Sequence, residues 1–503
     1  MSTPADDWRR LDRRTVLVTA LVTTGVLLGA AVTVALALAG RFGTGRALVW
    51  VPAAVVVLTG CSAGIDYVRW RRTRYRVGTE RVALHTGLLL VKERSLARER
   101  IRSVDLTARP LLRLLGLVTV RIGTGEHAGS DSTLELDPVT RAEGERLRRL
   151  LLERAATGPA GSHREGELIA LNLRWIGYAP VSFVAPMLGG AAVGAVLQVS
   201  EWVGAQGQVI AWIRDLFRDT PLLWTVLVLV VAAAVAGVIG ALGLWVEMWW
   251  SYRLEREPGG TLRVRRGLFT SRSVSIEERR LRGVDLVEPL GVRLMGAARL
   301  DAITTGLAKD DEEQHGAHNT LLPAVPRELA DTVAADVLRE RSTPTGAVLT
   351  GHPRAARRRR LGWALWAVLV PVAVLAVLGA LLTPVLLWIA LACAVVFLPL
   401  AVLLALDAYR ALGHAVGGDY LVTRSGTVRR STAALDRAGV IGWTVRQSYF
   451  QRRSGLLSVT ATTAAGSGAY TAYDTDASEG LDFASAAVPG LLEPFLERTG
   501  TTP

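Results

Sequence analysis

Six long stretches without a charged side chain dictate most of what this chain can become. They run roughly 16 to 40, 47 to 65, 175 to 199, 221 to 246, 361 to 382 and 384 to 406. Each is near the twenty or so residues that a helix needs to cross a hydrocarbon core of about 30 Å. Half of the 503 residues are hydrophobic while 20% are charged, so apolar and charged residues must be segregated along the chain. The first stretch is too long for a cleavable signal peptide, and a second follows at once.

Arginines beside the stretches set the expected orientation. Arg9, Arg10, Arg13 and Arg14 precede the first, and Arg69, Arg71, Arg72, Arg74 and Arg76 follow the second. Arg253 and Arg256 follow the fourth, and Arg354 with Arg357 to Arg360 precede the fifth. The other side has Arg41, Arg46, Arg214 and Arg218. Both termini and three large polar segments are therefore expected in the cytoplasm, with the chain in the cell (inner or plasma) membrane. This asymmetry, with basic stretches in the polar segments, accounts for most of the +13 net charge, so no nucleic-acid partner is needed. Cys61 and Cys393 both fall within spans, which excludes a disulfide framework outside the membrane.

Two spans and a polar segment recur three times, and residue-level echoes show a true repeat. Each second span ends on an acid with an aromatic close behind: Asp66 and Tyr67, Glu247 with Trp249 and Trp250, Asp407 and Tyr409. Ile101-Arg102-Ser103-Val104-Asp105-Leu106 matches Leu281-Arg282-Gly283-Val284-Asp285-Leu286. We align the third copy as Ala438-Gly439-Val440-Ile441-Gly442-Trp443. The aspartates are the same distance from Gly116 and Gly296, and Gly455 follows Arg452-Arg453-Ser454 as Gly116 follows Arg113-Leu114-Leu115. Val104, Asp105, Gly116, Val284, Asp285, Gly296, Val440 and Gly455 are thus structural signature positions.

Within a copy, Tyr75 to His85 and Leu88 to Ser95 read as strands around a turn at Gly87. Val118, Val120 and Ile122 alternate with Thr119 and Arg121, giving one buried and one wet face. A helix after Asp137-Pro138 presents Leu147, Leu150 and Leu151 on one side. Pro489 and Pro494 interrupt the corresponding helix of the third copy.

These features resemble the YdbT-type bacterial membrane proteins, whose cytoplasmic units are bacterial pleckstrin-homology-like domains (bPH2, DUF304). The resemblance covers nearly the whole chain. It rests on the paired spans, the strand-Gly-strand opening, the Arg-x-Val-Asp-Leu type segment with its following Leu-x-Gly-Leu, and the threefold order. It implies a multi-pass α-helical membrane protein of six spans carrying three cytoplasmic pleckstrin-homology-like domains, each a seven-stranded curved antiparallel β-barrel plus a C-terminal helix. The expected boundaries are transmembrane hairpins at 1–66, 168–247 and 354–407, and domains at 67–157, 248–342 and 408–499.

No span carries a carboxylate, lysine or histidine near its middle, where ion-coupled carriers keep their relays. Asp66, Glu247 and Asp407 are expected to face neighbouring arginines at headgroup level. Gly25 with Gly29, Gly60 with Gly64 and Gly190 with Gly194 are spaced for close helix packing. Pro180, Pro186, Pro371 and Pro399 are candidate kinks. Asp310, Asp311, Glu312, Glu313, His315 and His318 read as a solvated insertion rather than a metal site. Gly123 to Ala128 reads as a hairpin rather than a dinucleotide loop, because a strand follows it. No P-loop or nucleophile elbow occurs. The expectation is therefore no enzyme, no cofactor and no metal.

What remains are two basic stretches, Lys92, Arg94, Arg98, Arg100 and Arg102, and Arg263, Arg265, Arg266, Arg272, Arg279, Arg280 and Arg282. They are candidate lipid-headgroup contacts, since each cationic residue near an anionic leaflet contributes about 1 kcal/mol of attraction. The expected role is a membrane scaffold that binds membrane lipid, and a membrane protein partner or a second copy of itself, in envelope maintenance or antimicrobial and stress defence. The alternative is a lipid or small-molecule transporter. Between the third and fourth stretches, Trp202, Val209, Trp212, Ile213, Leu216 and Phe217 predict a short amphipathic helix in the outer interface.

Overall fold

A computed structural model describes residues 8–42, 44–78, 80–87, 92–101, 103–123, 133–152, 166–202, 204–305 and 319–495. The first repeat runs β1 (Arg9–Arg10), α1 (Arg14–Phe42), α2 (Thr44–Arg72), β2 (Arg74–Val77), β3 (Arg81–Thr86), β4 (Lys92–Ala97), β5 (Ser103–Ala108), α3 (Pro110–Leu114), β6 (Leu117–Gly123), β7 (Thr133–Thr140) and α4 (Arg141–Leu152). The second runs β8 (Gly166–Ala170), α5 (Val184–Trp202), α6 (Gln206–Leu216), α7 (Leu222–Trp249), β9 (Arg253–Glu257), β10 (Thr261–Arg266), β11 (Ser271–Glu277), β12 (Leu281–Pro289), α8 (Leu290–Leu294), β13 (Ala297–Thr304), β14 (Thr320–Pro326) and α9 (Arg327–Leu338). The third runs α10 (Arg354–Leu381), α11 (Pro384–Arg410), β15 (Gly413–Gly417), β16 (Tyr420–Ser425), β17 (Arg429–Asp436), β18 (Val440–Arg446), α12 (Tyr449–Arg453), β19 (Leu456–Thr463), β20 (Ala469–Asp476) and α13 (Ala477–Ala487).

Six helices are long and apolar enough to cross a membrane: α1, α2, α5, α7, α10 and α11. The third span begins later than the hydropathy suggests. Leu173–Tyr178 form a 3-10 turn with Trp175 buried, and the helix starts only at Val184. Pro180 therefore precedes the helix and Pro186 sits in its first turn, where a missing N–H costs nothing; neither kinks it. Pro52, Pro371 and Pro399 do lie inside helices. The close helix contact is made by Gly189 and Gly237, each of which has the other helix's backbone where a Cβ would go. Gly25, Gly29, Gly60, Gly64, Gly190 and Gly194 meet nothing within 4 Å.

The barrel expectation needs correction: the strands form open sheets, and the sheets do not respect the repeats. Counting from the end of each membrane hairpin, a 3-10 turn at Arg98–Arg100, Glu278–Arg280 and Arg437–Gly439 separates the third strand of each repeat from the fourth. The strands on either side of each turn enter different sheets. The seven-stranded sheet runs β7-β6-β5-β11-β10-β9-β8, and the six-stranded sheet runs β14-β13-β12-β17-β16-β15. Each joins the later strands of one repeat to the earlier strands of the next. The four-stranded sheet β1-β2-β3-β4 and the three-stranded sheet β18-β19-β20 are left at the two ends. Alternation along a strand fixes which face is buried but leaves its edge partner open, so a neighbouring repeat can supply that partner.

The chain divides into two compact units that cut across the second repeat: residues up to Ala170 with Glu247–Glu278, and Leu171–Val246 with Arg279–Thr305 and the later chain. In the first unit Tyr75, Val82 and Leu84 share one core with Val104, Val120, Ile122, Leu136, Leu147 and Leu151. The first repeat thus packs its two half-sheets against α4 while lending β5 to another sheet. In the second unit Ile303 packs with Leu421, Leu435, Ala461 and Phe483. Terminal helices bury one face at helical spacing: Ala330, Val333, Ala334 and Val337 in α9, and Gly480, Phe483, Ala484 and Ala487 in α13. The amphipathic segment between the third and fourth spans is helix α6, with no buried residue.

Candidate anion-binding cleft

The signature aspartates lie at the junctions between repeats. In the first junction Leu106 pairs with Ser273, Thr107 with Arg272 and Ala108 with Ser271. Asp105, 6% exposed, continues this contact by accepting a hydrogen bond from the Ser275 backbone. Burial pushes its carboxyl up to about 7, against the pull of Arg121 and Ser275. In the second junction the ladder is longer, from Gly283 opposite Leu435 to Pro289 opposite Arg429. Ser431 Oγ donates to Asp285 Oδ1 at 2.5 Å, and burial raises this carboxyl to about 6. Val104 and Val284, beside them, are fully buried. Gly116, Gly296 and Gly455 all have φ between 65° and 71° and close the short helices before β6, β13 and β19, a left-handed position that favours glycine.

The third copy is registered two residues later than the sequence alignment placed it. A bulge lies between Leu281 and Gly283 in β12 and between Val440 and Gly442 in β18. Val440 therefore stands where Leu281 does, Trp443 replaces Val284, and Thr444 replaces the aspartate. Thr444 is as far from Gly455 as Asp285 is from Gly296.

Two of the three acids at span exits, Glu247 and Asp407, dock into the β-hairpin that follows. Glu247, at the end of α7, accepts the N–H groups of Phe269 and Thr270, both at 2.9 Å, in the turn between β10 and β11. Gly267 in that turn has φ 113°, and a Cβ there would meet the Thr270 carbonyl. Arg113, from α3 of the preceding repeat, donates to the Leu268 carbonyl. The second junction repeats this: Thr427 Oγ1 donates to Asp407 Oδ2 at 2.8 Å, and Arg293 of α8 donates to the Thr427 carbonyl at 3.3 Å. Arg430 also reaches Asp407, at 3.3 Å. The expectation that these acids face arginines holds for Asp407, whereas Glu247 caps backbone N–H groups instead. For the first repeat the equivalent turn lies outside the described residues.

Beside the first junction lies a cleft of about 320 Å³ lined by Arg113, Arg141, Arg253, Arg263, Arg265 and Arg266, with Glu145 the one acid among its lining residues. Its floor is neutralised. Arg263 Nη2 lies 2.6 Å from Glu145 and its Nη1 3.0 Å from Glu257. Arg148 bridges the same two acids at 3.1 and 2.7 Å. Burial opposes ionisation of Glu145 and Glu257, but hydrogen bonds from Arg263 and Arg148 hold both below the usual carboxylate range. The rim is in cationic excess. Arg265 is 4.0 Å from Glu145 with its side chain 43% exposed, and burial with the neighbouring Arg263 charge pushes it below the usual guanidinium value. Arg266 lies over Trp249 at 4.5 Å. Exposed Leu114 and Phe269, 84% and 62% accessible, stand beside the cleft at the foot of α7.

Of the basic residues singled out from sequence, the cleft gathers Arg263, Arg265 and Arg266, and Arg263 is committed to the ion-pair network. Arg98 is committed to the Gly78 and Leu150 carbonyls. Arg94 is partly buried on β4, Arg279 is exposed, Arg280 is buried, and Arg282 pairs with Asp436 at 3.1 Å. Arg102, and the side chains of Lys92 and Arg100, lie outside the described residues. Sequence reading did not include Arg113, Arg141 and Arg253 in the site, because they belong to a cleft shared by two repeats. The recurrence of Arg113 as Arg293 was the available signal. The acidic insertion from Asp310 to His318 lies outside the described residues, and among those described no three potential metal ligands cluster. Gly123 ends β6, which pairs antiparallel with β7 as the hairpin reading requires.

Paired spans followed by a two-half-sheet domain, three times over, define a multi-pass membrane protein of repeated β-rich domains. The chain belongs to the bacterial PH domain family bPH_2, which matches residues 18–155, 175–341 and 364–487. It is 20% identical over 439 residues to the UPF0699 transmembrane protein YdbT of Bacillus subtilis (strain 168), covering 84% of this chain and 83% of that protein. No solved structure matches.

Proposed function

We propose that this protein is a non-enzymatic scaffold of the cell membrane, with both termini in the cytoplasm, whose cleft at the first junction holds an anionic lipid headgroup. One observation carries this reading: the rim arginines Arg253, Arg265 and Arg266 surround a neutralised floor at the foot of a spanning helix. Leu114 and Phe269 beside them suit an apolar interface, so a headgroup phosphate entering from the leaflet meets guanidinium donors. The arginine bias next to the spans supports the cytoplasmic placement.

The test is lipid retention by the full-length protein purified in nanodiscs of mixed phosphatidylglycerol and phosphatidylcholine, read by native mass spectrometry. Arg253→Gln with Arg265→Gln should reduce retained phosphatidylglycerol at least threefold and leave phosphatidylcholine unchanged. Equal retention of both lipids by the unsubstituted protein would refute the proposal.

A further inference from the structure

The sheets form a chain of junctions with two unused ends. At each internal junction the fourth strand of one repeat pairs with the third strand of the next, and the register is the same both times. Leu106 stands opposite Ser273 in the first junction, and the equivalent residues Leu286 and Thr432 stand opposite each other in the second. Among the described residues β4, a third strand, pairs with β3 alone, and β18, a fourth strand, pairs with β19 alone. These are the two halves of one more junction.

We propose that this protein self-associates head to tail, with β18 of one copy pairing antiparallel to β4 of a second copy. Carrying the internal register over places Gly442 opposite Leu96, Trp443 opposite Ser95, Thr444 opposite Arg94, Val445 opposite Glu93 and Arg446 opposite Lys92. The occupant is a second copy because the missing partner has the position, strand direction and register of strands this chain already pairs twice.

Four further observations point the same way. Gly283 is pressed against the Ala434 carbonyl of β17, which leaves no room for a Cβ. Gly442 holds the equivalent place in β18 and has nothing within 4 Å, so the space that β17 fills beside Gly283 is open beside Gly442. Val445 is 42% exposed whereas its counterparts Leu106 and Leu286 are 5% and 0% exposed. On the adjoining α12, Tyr449 and Phe450 are 74% and 72% exposed, an apolar edge of the kind that marks an interaction surface. Moreover Arg452, the counterpart of the arginines that latch the next repeat's hairpin, is exposed.

Four candidate spans, an even number, lie between β4 and β18 in the chain, so two copies can meet within one bilayer. The contact is heterologous and leaves a free edge at each end, which permits rings or open chains. Arg446 opposite Lys92 is a like-charge pair, so association should strengthen as salt screens it.

The test uses the full-length protein in native membranes with Cys61→Ala and Cys393→Ala. Directly opposite residues of an antiparallel pair have Cα atoms about 4.5 to 5.5 Å apart, within the Cα span of a disulfide. Two differently tagged copies, one with Glu93→Cys and the other with Val445→Cys, should form a mixed disulfide dimer. Glu93→Cys with Thr444→Cys should not, because adjacent residues point to opposite faces. One chain carrying both Glu93→Cys and Val445→Cys should give a ladder of multimers. Gly442→Val, whose Cβ has nothing within 4 Å in its own chain, should keep the fold and reduce co-purification of the two tagged copies at least fivefold. The proposal is overturned if no mixed dimer forms, if Thr444→Cys cross-links as well, if the doubly substituted chain closes only on itself, or if Gly442→Val co-purifies normally.

Discussion

Arg293 and Asp407 form an ion pair at 2.8 Å, although one sits in a short helix of the second repeat and the other at the end of the third repeat's membrane hairpin. Their side chains are 12% and 28% exposed. The pair fixes the β-hairpin of one repeat, through its own span, to the sheet of the repeat before.

Arg293→Ala should therefore destabilise the second unit by about 2 kcal/mol, since it leaves Asp407 partly desolvated with one cation fewer. Asp407→Asn should cost less, because the amide oxygen still accepts from Thr427. Thermal unfolding in detergent, with limited proteolysis near Thr427, reads both; equal losses would contradict this account.

Arg148→Met should cost about 3 kcal/mol, because Glu145 and Glu257 lose a cation in a site where Arg148 itself is only 5% exposed. The exposed rim should behave oppositely. Arg265→Gln, whose pair is at 4.0 Å, should change stability by less than about 0.5 kcal/mol.

Asp105 predicts a pH dependence of the first junction. Its folded value of about 7 lies above its ordinary 3.8, so the folded state binds the extra proton and stability falls as pH rises through that interval. Hydrogen exchange at Ser273 and Ser275 should be slower at pH 5 than at pH 8, after correction for intrinsic exchange. Asp105→Asn should flatten the difference and leave the junction tighter at pH 8.

The third repeat should respond in the reverse sense. His414 Nδ1 lies 3.2 Å from His352 Nε2, and His352 Nδ1 lies 3.2 Å from the Asp474 carbonyl. Burial and the neighbouring His352 push His414 down to about 4, and burial also lowers His352. Neutral rings therefore favour the fold above the ordinary histidine range, and stability is lost as pH falls from about 6.5 toward 4. Unfolding of the third repeat should move to lower temperature between pH 7 and pH 5, and His414→Phe, packing on Phe483, should reduce that shift.

The six spans, the repeat, the strand order within each repeat and the terminal helices of the first two copies were legible, because hydropathy and helical spacing act over short stretches; the third terminal helix is unbroken and ends at Ala487, before Pro489 and Pro494. Val118, Val120 and Ile122 announced a buried face and are buried. Their neighbours across the sheet were not announced, since the ladder partner of β5 depends on backbone edges that no side-chain pattern encodes. The third copy was misregistered because no aspartate survives there and the bulge before Gly442 leaves no side-chain pattern; counting eleven residues back from Gly455 reaches Thr444, the position the bulge defines. The cleft was half legible: Arg265 and Arg266 stood out as a basic run, but Arg113 and Arg141 come from another repeat.

Shared sheets also impose an order on biogenesis. The ribosome delivers β5, β6 and β7 well before β11, and two membrane spans must be inserted in between. Throughout that interval β5 has an open edge, and the first repeat is complete in its core but unfinished in its sheet. Deleting the middle repeat would therefore remove a third strand and a fourth strand from different sheets, and leave β5 to find β17 as the partner that completes its sheet.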